Sequence, residues 1–298
     1  MAQWRIRKAH MTCLLSVDIW DRLRRELVWI RRAPIDQYNR HSRYQPQGRI
    51  AAWHLIRGSA IFLLSSGHCK VKAGQWIFPG TGTGESMFSH DAEIISLRFH
   101  VQWPGGENLF DHREPIVVGP PAGQPLDQAG FALVDFVQGQ LSPRGLHLPR
   151  AAIHLDHYLT LQTHFDRWVR AYVDMMTGRG QTPKGAPRLD PRIREAMKLM
   201  ESRLRAGVVM PERDVARAVG LSLSQFKRLF GRDLKKTPKH WLDDLRYEAA
   251  CDLLDGTGRT VKQIGYELGF RSPNHFSTWF GRRHGCPPGR VVHSQVAG

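Results

Sequence analysis

At 298 residues the chain is long enough for two domains with separate cores, at roughly 100 to 200 residues per domain. Hydrophobic residues at 41% and charged residues at 23% match a soluble globular protein and exclude a disordered chain. With 43 Lys and Arg against 27 Asp and Glu the formal charge is +16, which predicts a polyanionic partner, while no stretch approaches the roughly 18 uncharged residues a membrane-spanning helix needs.

At the N-terminus, Trp4, Arg5, Arg7 and Lys8 precede only Met11 to Val17 before Asp18 interrupts. That run is too short for a signal peptide and lacks a small-residue cleavage pattern, so a cytoplasmic location and no membrane partner are expected. Cys13, Cys69, Cys251 and Cys286 form no C-x-x-C pair, and reduced thiols are expected rather than a zinc or redox site. From Gly48 to Trp103 short apolar runs alternate with turn residues: Ala51 to Ile56, Ala60 to Ser65, Gln75 to Phe78 and Glu93 to Val101. The last places Ile95, Leu97, Phe99 and Val101 on one face and Ser96, Arg98, His100 and Gln102 on the other, and such spacing predicts a small β-barrel or sandwich.

Within it, Trp53, Trp76, Phe78 and Phe88 are the candidate contacts for a small effector, with core packing as the alternative role. The Gly80 to Gly84 run lacks the Lys-Ser/Thr of a phosphate-binding loop and reads as a hairpin loop. His54, His68, His90, His100 and His112 lack the spacing of a cupin-type metal site, and His154 with His157 have no third partner. No catalytic residue, metal ligand or cofactor is assigned.

Ala151 to Met176 takes a helical period, with Leu155, Tyr158, Leu159, Phe165, Trp168, Val169, Tyr172 and Met176 on one stripe that packs on the β-domain or on a second copy. The Gly/Pro-rich stretch after it predicts a linker over 177–190, separating a β-rich domain over 1–176 from a helical domain over 191–292.

The helical domain contains an imperfect repeat at a spacing of about 50 residues. The first copy runs Val215-Ala216-Arg217-Ala218-Val219-Gly220-Leu221-Ser222, then Phe226 to Arg232, to Thr237-Pro238. The second runs Ile264-Gly265-Tyr266-Glu267-Leu268-Gly269-Phe270, then Phe276 to Arg282, to Pro287-Pro288. Each has the parts of a helix-turn-helix: a short helix, a Gly at the turn, and a second helix anchored by aromatics. Phe226, Leu229 and Phe230, like Phe276, Trp279 and Phe280, point to the core. The outward set is Ser224, Gln225, Lys227, Arg228, Arg232 and Lys235 in the first unit, and Arg271, Asn274, Ser277, Thr278 and Arg282 in the second, with Arg283 beside it. Amide, hydroxyl and guanidinium groups at a helix N-terminus read base edges, and flanking cations neutralise phosphates. Between the copies, Thr237 and Pro238 open a helix of about 17 residues, about 25 Å long, that spaces the two units.

These residues resemble the AraC/XylS family of transcription regulators over Pro191 to Val292, most specifically in Val261-Lys262-Gln263-Ile264-Gly265-Tyr266-Glu267-Leu268-Gly269-Phe270, Asn274 to Phe280 and Gly285-Cys286-Pro287-Pro288. The resemblance implies a double helix-turn-helix that binds double-stranded promoter DNA, RNA polymerase as a partner, and control by the N-terminal domain. Gly265 replaces a usual Ala, Lys235 stands where Gly is common, and Val291-Val292 replaces Tyr-Arg. Ala73 to Gly80 resembles the cupin-like sensor of such proteins, which implies effector binding or homodimerisation. The fold expected is therefore multidomain: a β-rich cupin-like barrel plus helices, then an all-α double helix-turn-helix. The competing class is a cupin-type metal-dependent enzyme with a basic DNA-tethering domain.

Overall fold

The computed structural model describes residues 14–289 apart from 36, 38–39, 45–49, 65–66, 81–83, 112–113, 143–147 and 255–258. The tip of the Gly-Thr-Gly loop, Cys13, His112, the turn after Leu254 and Val291-Val292 lie outside the described residues.

A short helix α1 (Val17–Trp20) precedes strands β1 (Arg24–Pro34), β2 (His41–Tyr44), β3 (Ile50–Arg57), β4 (Ser59–Leu64), β5 (Gly67–Lys72), β6 (Gln75–Phe78), β7 (Gly84–Phe88), β8 (Glu93–Trp103), β9 (Glu107–Asn108) and β10 (Ile116–Val118). They form two antiparallel sheets. The first has the order β1-β8-β3-β6-β10 with β9 on β8, and the second has β2-β7-β4-β5. The expected barrel does not close, because β1 and β10 remain edges of one sheet and β2 and β5 edges of the other.

Two helices, α2 (Gln124–Phe136) and α3 (Leu155–Gly178), explain the difference. They cover the face of the first sheet that a barrel would turn to solvent, so that sheet is buried on both sides. Leu97, Phe99, Trp76 and Phe78 meet Leu133, Val134, Phe165, Trp168 and Tyr172 on the helix side. Trp53, Leu55, Ile77 and Ile94 meet Ala60, Phe62 and Val71 of the second sheet on the other. Each of these large side chains contributes roughly 1.5–3 kcal/mol by leaving water. The polar face of β8 is also buried: Ser96 accepts a hydrogen bond from Trp53 Nε1 at 2.8 Å, and His100 Nδ1 lies 3.1 Å from Gln102 Oε1. The apolar stripe of α3 divides. Phe165, Trp168, Val169, Tyr172 and Met176 are buried on the sheet, whereas Leu155, Tyr158 and Leu159 in the first turns stay exposed.

No helix or strand occupies residues 179–190. This segment is tied to the β-domain: Trp103 Nε1 donates to Lys184 O at 2.8 Å, the Lys184 amide donates to Leu109 O at 2.8 Å, and Lys184 Nζ pairs with Glu107 at 3.0 Å. Helices α4 (Pro191–Arg205), α5 (Glu212–Ala218), α6 (Leu223–Leu234), α7 (Pro238–Leu254), α8 (Val261–Glu267) and α9 (Pro273–His284) follow. Asp190 caps α4 by accepting from the Arg192 amide at 3.0 Å, and Pro191 supplies the fixed φ of its first position.

Candidate nucleic-acid interface

The two helix-turn-helix units are α5 with α6 and α8 with α9. Their turns pass through Gly220 and Gly269 at φ 69° and 75°, a left-handed backbone that a side chain would strain. The second helix of each unit, α6 and α9, starts with a hydroxyl cap. Ser222 accepts from the Gln225 amide at 3.2 Å while Gln225 Oε1 accepts from the Ser222 amide at 3.1 Å, and Ser272 accepts from the His275 amide at 3.2 Å. In α6, Phe226, Leu229 and Phe230 enter a core with Ile193, Met197 and Trp241. In α9, Phe276 and Phe280 enter a separate core with Tyr247, Ile264 and Phe270. Trp279 is half-buried over Phe270 rather than fully inside. A Cβ on Gly265 would stand 3.1 Å from Phe276 Cβ, so the absence of the usual Ala lets α8 sit tightly on α9.

With the aromatics inside, the opposite faces point outward. Ser224, Gln225, Lys227, Arg228 and Arg232 on α6 are exposed, as are Lys235, Arg271, Asn274, Thr278 and Arg282; Ser277 is half-buried. Their partners differ. The Gln225 amide is engaged in its own helix cap. Lys227 Nζ pairs with Glu212 at 3.0 Å and Arg232 Nε with Asp233 at 2.6 Å. Arg228, Arg271 and Arg282 form no ion pair among the described residues. Lys235 terminates α6 with φ 54°, the left-handed conformation that Gly285 takes at the end of α9. The Lys therefore stands where glycine costs least.

The sequence reading missed an ion cluster on the spacing helix. Asp244 of α7 accepts from Lys236 Nζ at 2.8 Å and from Arg283, and His240 lies 3.7 Å away. Burial raises the Asp244 carboxyl, but the hydrogen bonds from Lys236 and Arg283 outweigh it and hold the group below the usual carboxylate range. Arg283 also stacks over Tyr247 at 4.8 Å, so it turns toward α7 instead of flanking the exposed face of α9. The Asp243-Asp244 pair in a basic segment was the only signal for this in the sequence.

The four aromatic effector candidates are not brought together. Trp53 stacks on Phe62 at 5.3 Å and Phe62 meets Phe88 at 5.9 Å between the sheets, whereas Trp76 lies 4.7 Å from Trp168 and Phe78 lies 5.5 Å from Tyr172 on the helix side. His54 is buried beside Trp76, its Nδ1 3.4 Å from the Asp127 carboxylate; burial lowers its pKa against the pull of Asp127. Among the described residues no three His, Cys, Asp or Glu side chains converge as a metal site would require. A cleft of about 1070 Å3 opens instead between the two domains, lined by Arg24, Glu26 and Tyr158 on one side and Met197, Glu201 and Trp241 on the other. Burial pushes the Glu201 carboxyl above its ordinary pKa against the pull of Arg24 and Arg205. The domains also touch where an added Cβ on Gly105 would meet Leu234 Cδ2 at 2.8 Å.

A helix-turn-helix domain family matches residues 215–294, which span both capped units. The HTH-type transcriptional regulator ExsA of Pseudomonas aeruginosa is 35% identical over 77 residues, and the virulence regulon transcriptional activator VirF of Yersinia enterocolitica is 33% identical over 82. The C-terminal region is an AraC-type helix-turn-helix domain. The matches cover 26% and 28% of this chain and 28% and 30% of those relatives, so the likeness is confined to the AraC-type domain. Beyond it, a single-substitution variant of apo ToxT from Vibrio cholerae aligns with 90% of this chain and 97% of its own at a TM-score of 0.52 with 12% identity. Wild-type ToxT with bound unsaturated fatty acid gives 0.50 with 11% identity. At that identity the likeness is one of fold: a β-rich domain followed by a helical one. No described helix is long and apolar enough to cross a membrane.

Proposed function

We propose that the chain is a sequence-specific regulator of transcription that reads double-stranded promoter DNA with α6 and α9, under control of a small effector held by the N-terminal domain. The supporting observation is the pair of capped reading helices, each with buried aromatics and an exposed face of amides, hydroxyls and cations, joined by one 17-residue helix. Ser224, Lys227, Arg228, Asn274, Ser277 and Thr278 approach the bases on this reading, Gln225 shares that role with its cap, and Arg232, Lys235, Arg271 and Arg282 meet phosphates. The working division is 1–176 for sensing, 177–190 for linkage and 191–292 for DNA binding, in the cytoplasm, with RNA polymerase and a second copy of the chain as further partners. The interdomain cleft combines apolar and charged walls, the surface an amphipathic effector needs, and a ligand there would bear on both domains; Trp53, Trp76, Phe78 and Phe88 do not line it and pack the β-domain core instead.

The segment from Pro191 onward carries about nine more basic than acidic residues, so affinity should drop steeply with salt. Fluorescence anisotropy of the full chain on labelled duplex should show a loss of about 10³-fold or more between 50 and 200 mM salt. Affinity that barely moves overturns phosphate-dominated binding. Metal analysis of the purified protein separates this reading from an enzyme, which would carry stoichiometric iron, zinc or manganese.

A further inference from the structure

The apolar cores of the two units do not merge. Trp241 and Leu242, near the start of α7, belong to the first, and Tyr247, Ala250, Leu253 and Leu254, further along, belong to the second. Polar ties fill the gap, and one of them involves Arg246. Its guanidinium donates from Nε and Nη2 to Leu268 O at 3.2 and 2.9 Å, and from Nη2 to Gly269 O at 3.2 Å. Its Cζ lies 4.2 Å from the Phe270 ring centre. Leu268 and Gly269 end α8 and form its turn, where carbonyls lack intrahelical donors and a cation meets the negative end of the helix dipole. The side chain is 14% exposed, so breaking these bonds would leave buried carbonyls without donors.

The same turn also abuts the loop that leads into the first unit. A Cβ on Gly269 would stand 3.2 Å from both Gly207 O and Val209 Cγ2, in the loop after α4. The turn of the second unit thus meets the loop at 207–209 and Arg246 on α7 together, the Arg246 Nη2 standing 3.7 Å from the same added Cβ.

We propose that Arg246 is a positioning residue that fixes the second reading helix relative to the first and thereby sets the spacing between the two blocks of bases the protein accepts. The proposal rests on the DNA-reading assignment. Arg246 acts through Leu268 and Gly269, which carry the chain from α8 into α9. Lys at this position keeps the charge but loses the planar fork that holds both carbonyls at once.

The test uses the full chain and the duplex that the unaltered protein selects from a random pool, with one base pair added or removed between the two contact blocks. Unaltered protein should lose about tenfold or more on either altered duplex. Arg246→Leu should lose affinity on the native spacing while its preference between spacings falls to about twofold or less, and Arg246→Lys should restore part of that preference. Faster amide exchange at residues 266–270 in Arg246→Leu, with exchange in α6 unchanged, is the matching structural readout. A spacing profile that keeps its shape in Arg246→Leu, with affinity reduced by one factor throughout, overturns the proposal. Should the Leu variant lose the second block altogether through unfolding, Arg246→Lys decides: an unaltered profile there also overturns it. A protein that selects no site overturns the DNA-reading assignment and this proposal with it, whereas a selected site with an unaffected profile overturns this proposal alone.

Discussion

The two helix-turn-helix units share a scaffold and differ in how their charges are partnered. Ser222 matches Ser272, Phe226 matches Phe276, Phe230 matches Phe280, and α6 and α9 are both 12 residues long. Around the first unit, however, Glu212 holds Lys227 and Asp233 holds Arg232. Around the second, Lys262, Arg271 and Arg282 are exposed, and Glu267 is engaged by Arg259. Similar packing thus leaves Lys227 and Arg232 paired beside an open Arg228 in the first unit, and Arg271 and Arg282 open beside a paired Arg283 in the second. Anchoring aromatics determine the shape, and on the proposed DNA-binding role acidic neighbours should set how hard each unit grips phosphate.

Removing one anchor at a time should have the largest effect. Phe230→Ala and Phe280→Ala, both fully buried, should each cost about 3–5 kcal/mol. Because their cores are separate, hydrogen exchange should rise in α6 for the first and in α9 for the second. Uniform loss of protection in both units from either variant would mean that they fold as one.

Base reading comes next in size. Arg228 and Asn274 occupy exposed faces opposite the anchors, and an Arg contact to guanine or an Asn contact to adenine is worth roughly 1–3 kcal/mol of discrimination. Arg228→Ala and Asn274→Ala should each relax sequence preference in a different block, about 10 base pairs apart. Lys235→Ala should lower affinity for all sequences alike. Selection from random DNA with each variant checks this, and an unchanged motif from Arg228→Ala and Asn274→Ala transfers the reading role to Lys227 and Thr278.

The helix ends offer a smaller, opposite pair of effects. Lys235 and Gly285 both take left-handed backbone, which costs a non-glycine residue about 1–2 kcal/mol. Lys235→Gly should therefore stabilise the fold by about 1 kcal/mol and Gly285→Ala destabilise it by a similar amount, as read by urea unfolding. Equal signs for the two would contradict the shared geometry.

Smallest are two pH effects of opposite sign. The depressed Asp244 carboxyl contributes stability above the ordinary carboxylate range that is lost as pH falls through its folded pKa, so Asp244→Asn should destabilise at neutral pH and converge with the unaltered protein in acid. The raised Glu201 carboxyl binds its proton more readily when folded, so its penalty grows as pH rises; Glu201→Gln should melt higher at neutral pH and lose that advantage on acidification. Thermal unfolding across pH measures both.

Much of this architecture is legible in the sequence because it rests on periodicity and caps. Gln75–Phe78, Leu223–Leu234 and Pro238–Leu254 follow directly from apolar spacing, Ser222, Thr237 and the turn residues. What escapes is what depends on partners distant in the chain. β1 is masked by arginines at 24, 25, 31 and 32 that flank its buried Leu27, Val28 and Ile30. α2 carries Pro125 near its start and a glycine at 130, which is needed because an added Cβ would stand 2.8 Å from Trp76. In the interface, outward residues can be read from the anchors, but the pairing of Lys227 with Glu212 and of Arg283 with Asp244 arises only when separate helices meet.

Selection of bound duplex from a random pool by the full chain decides whether α6 and α9 read DNA together. The expected motif has two blocks about one helical turn, roughly 10 base pairs, apart, each tied to one unit by the Arg228→Ala and Asn274→Ala variants. Recovery of no enriched sequence, or of a single block that responds to both variants alike, would show that they do not.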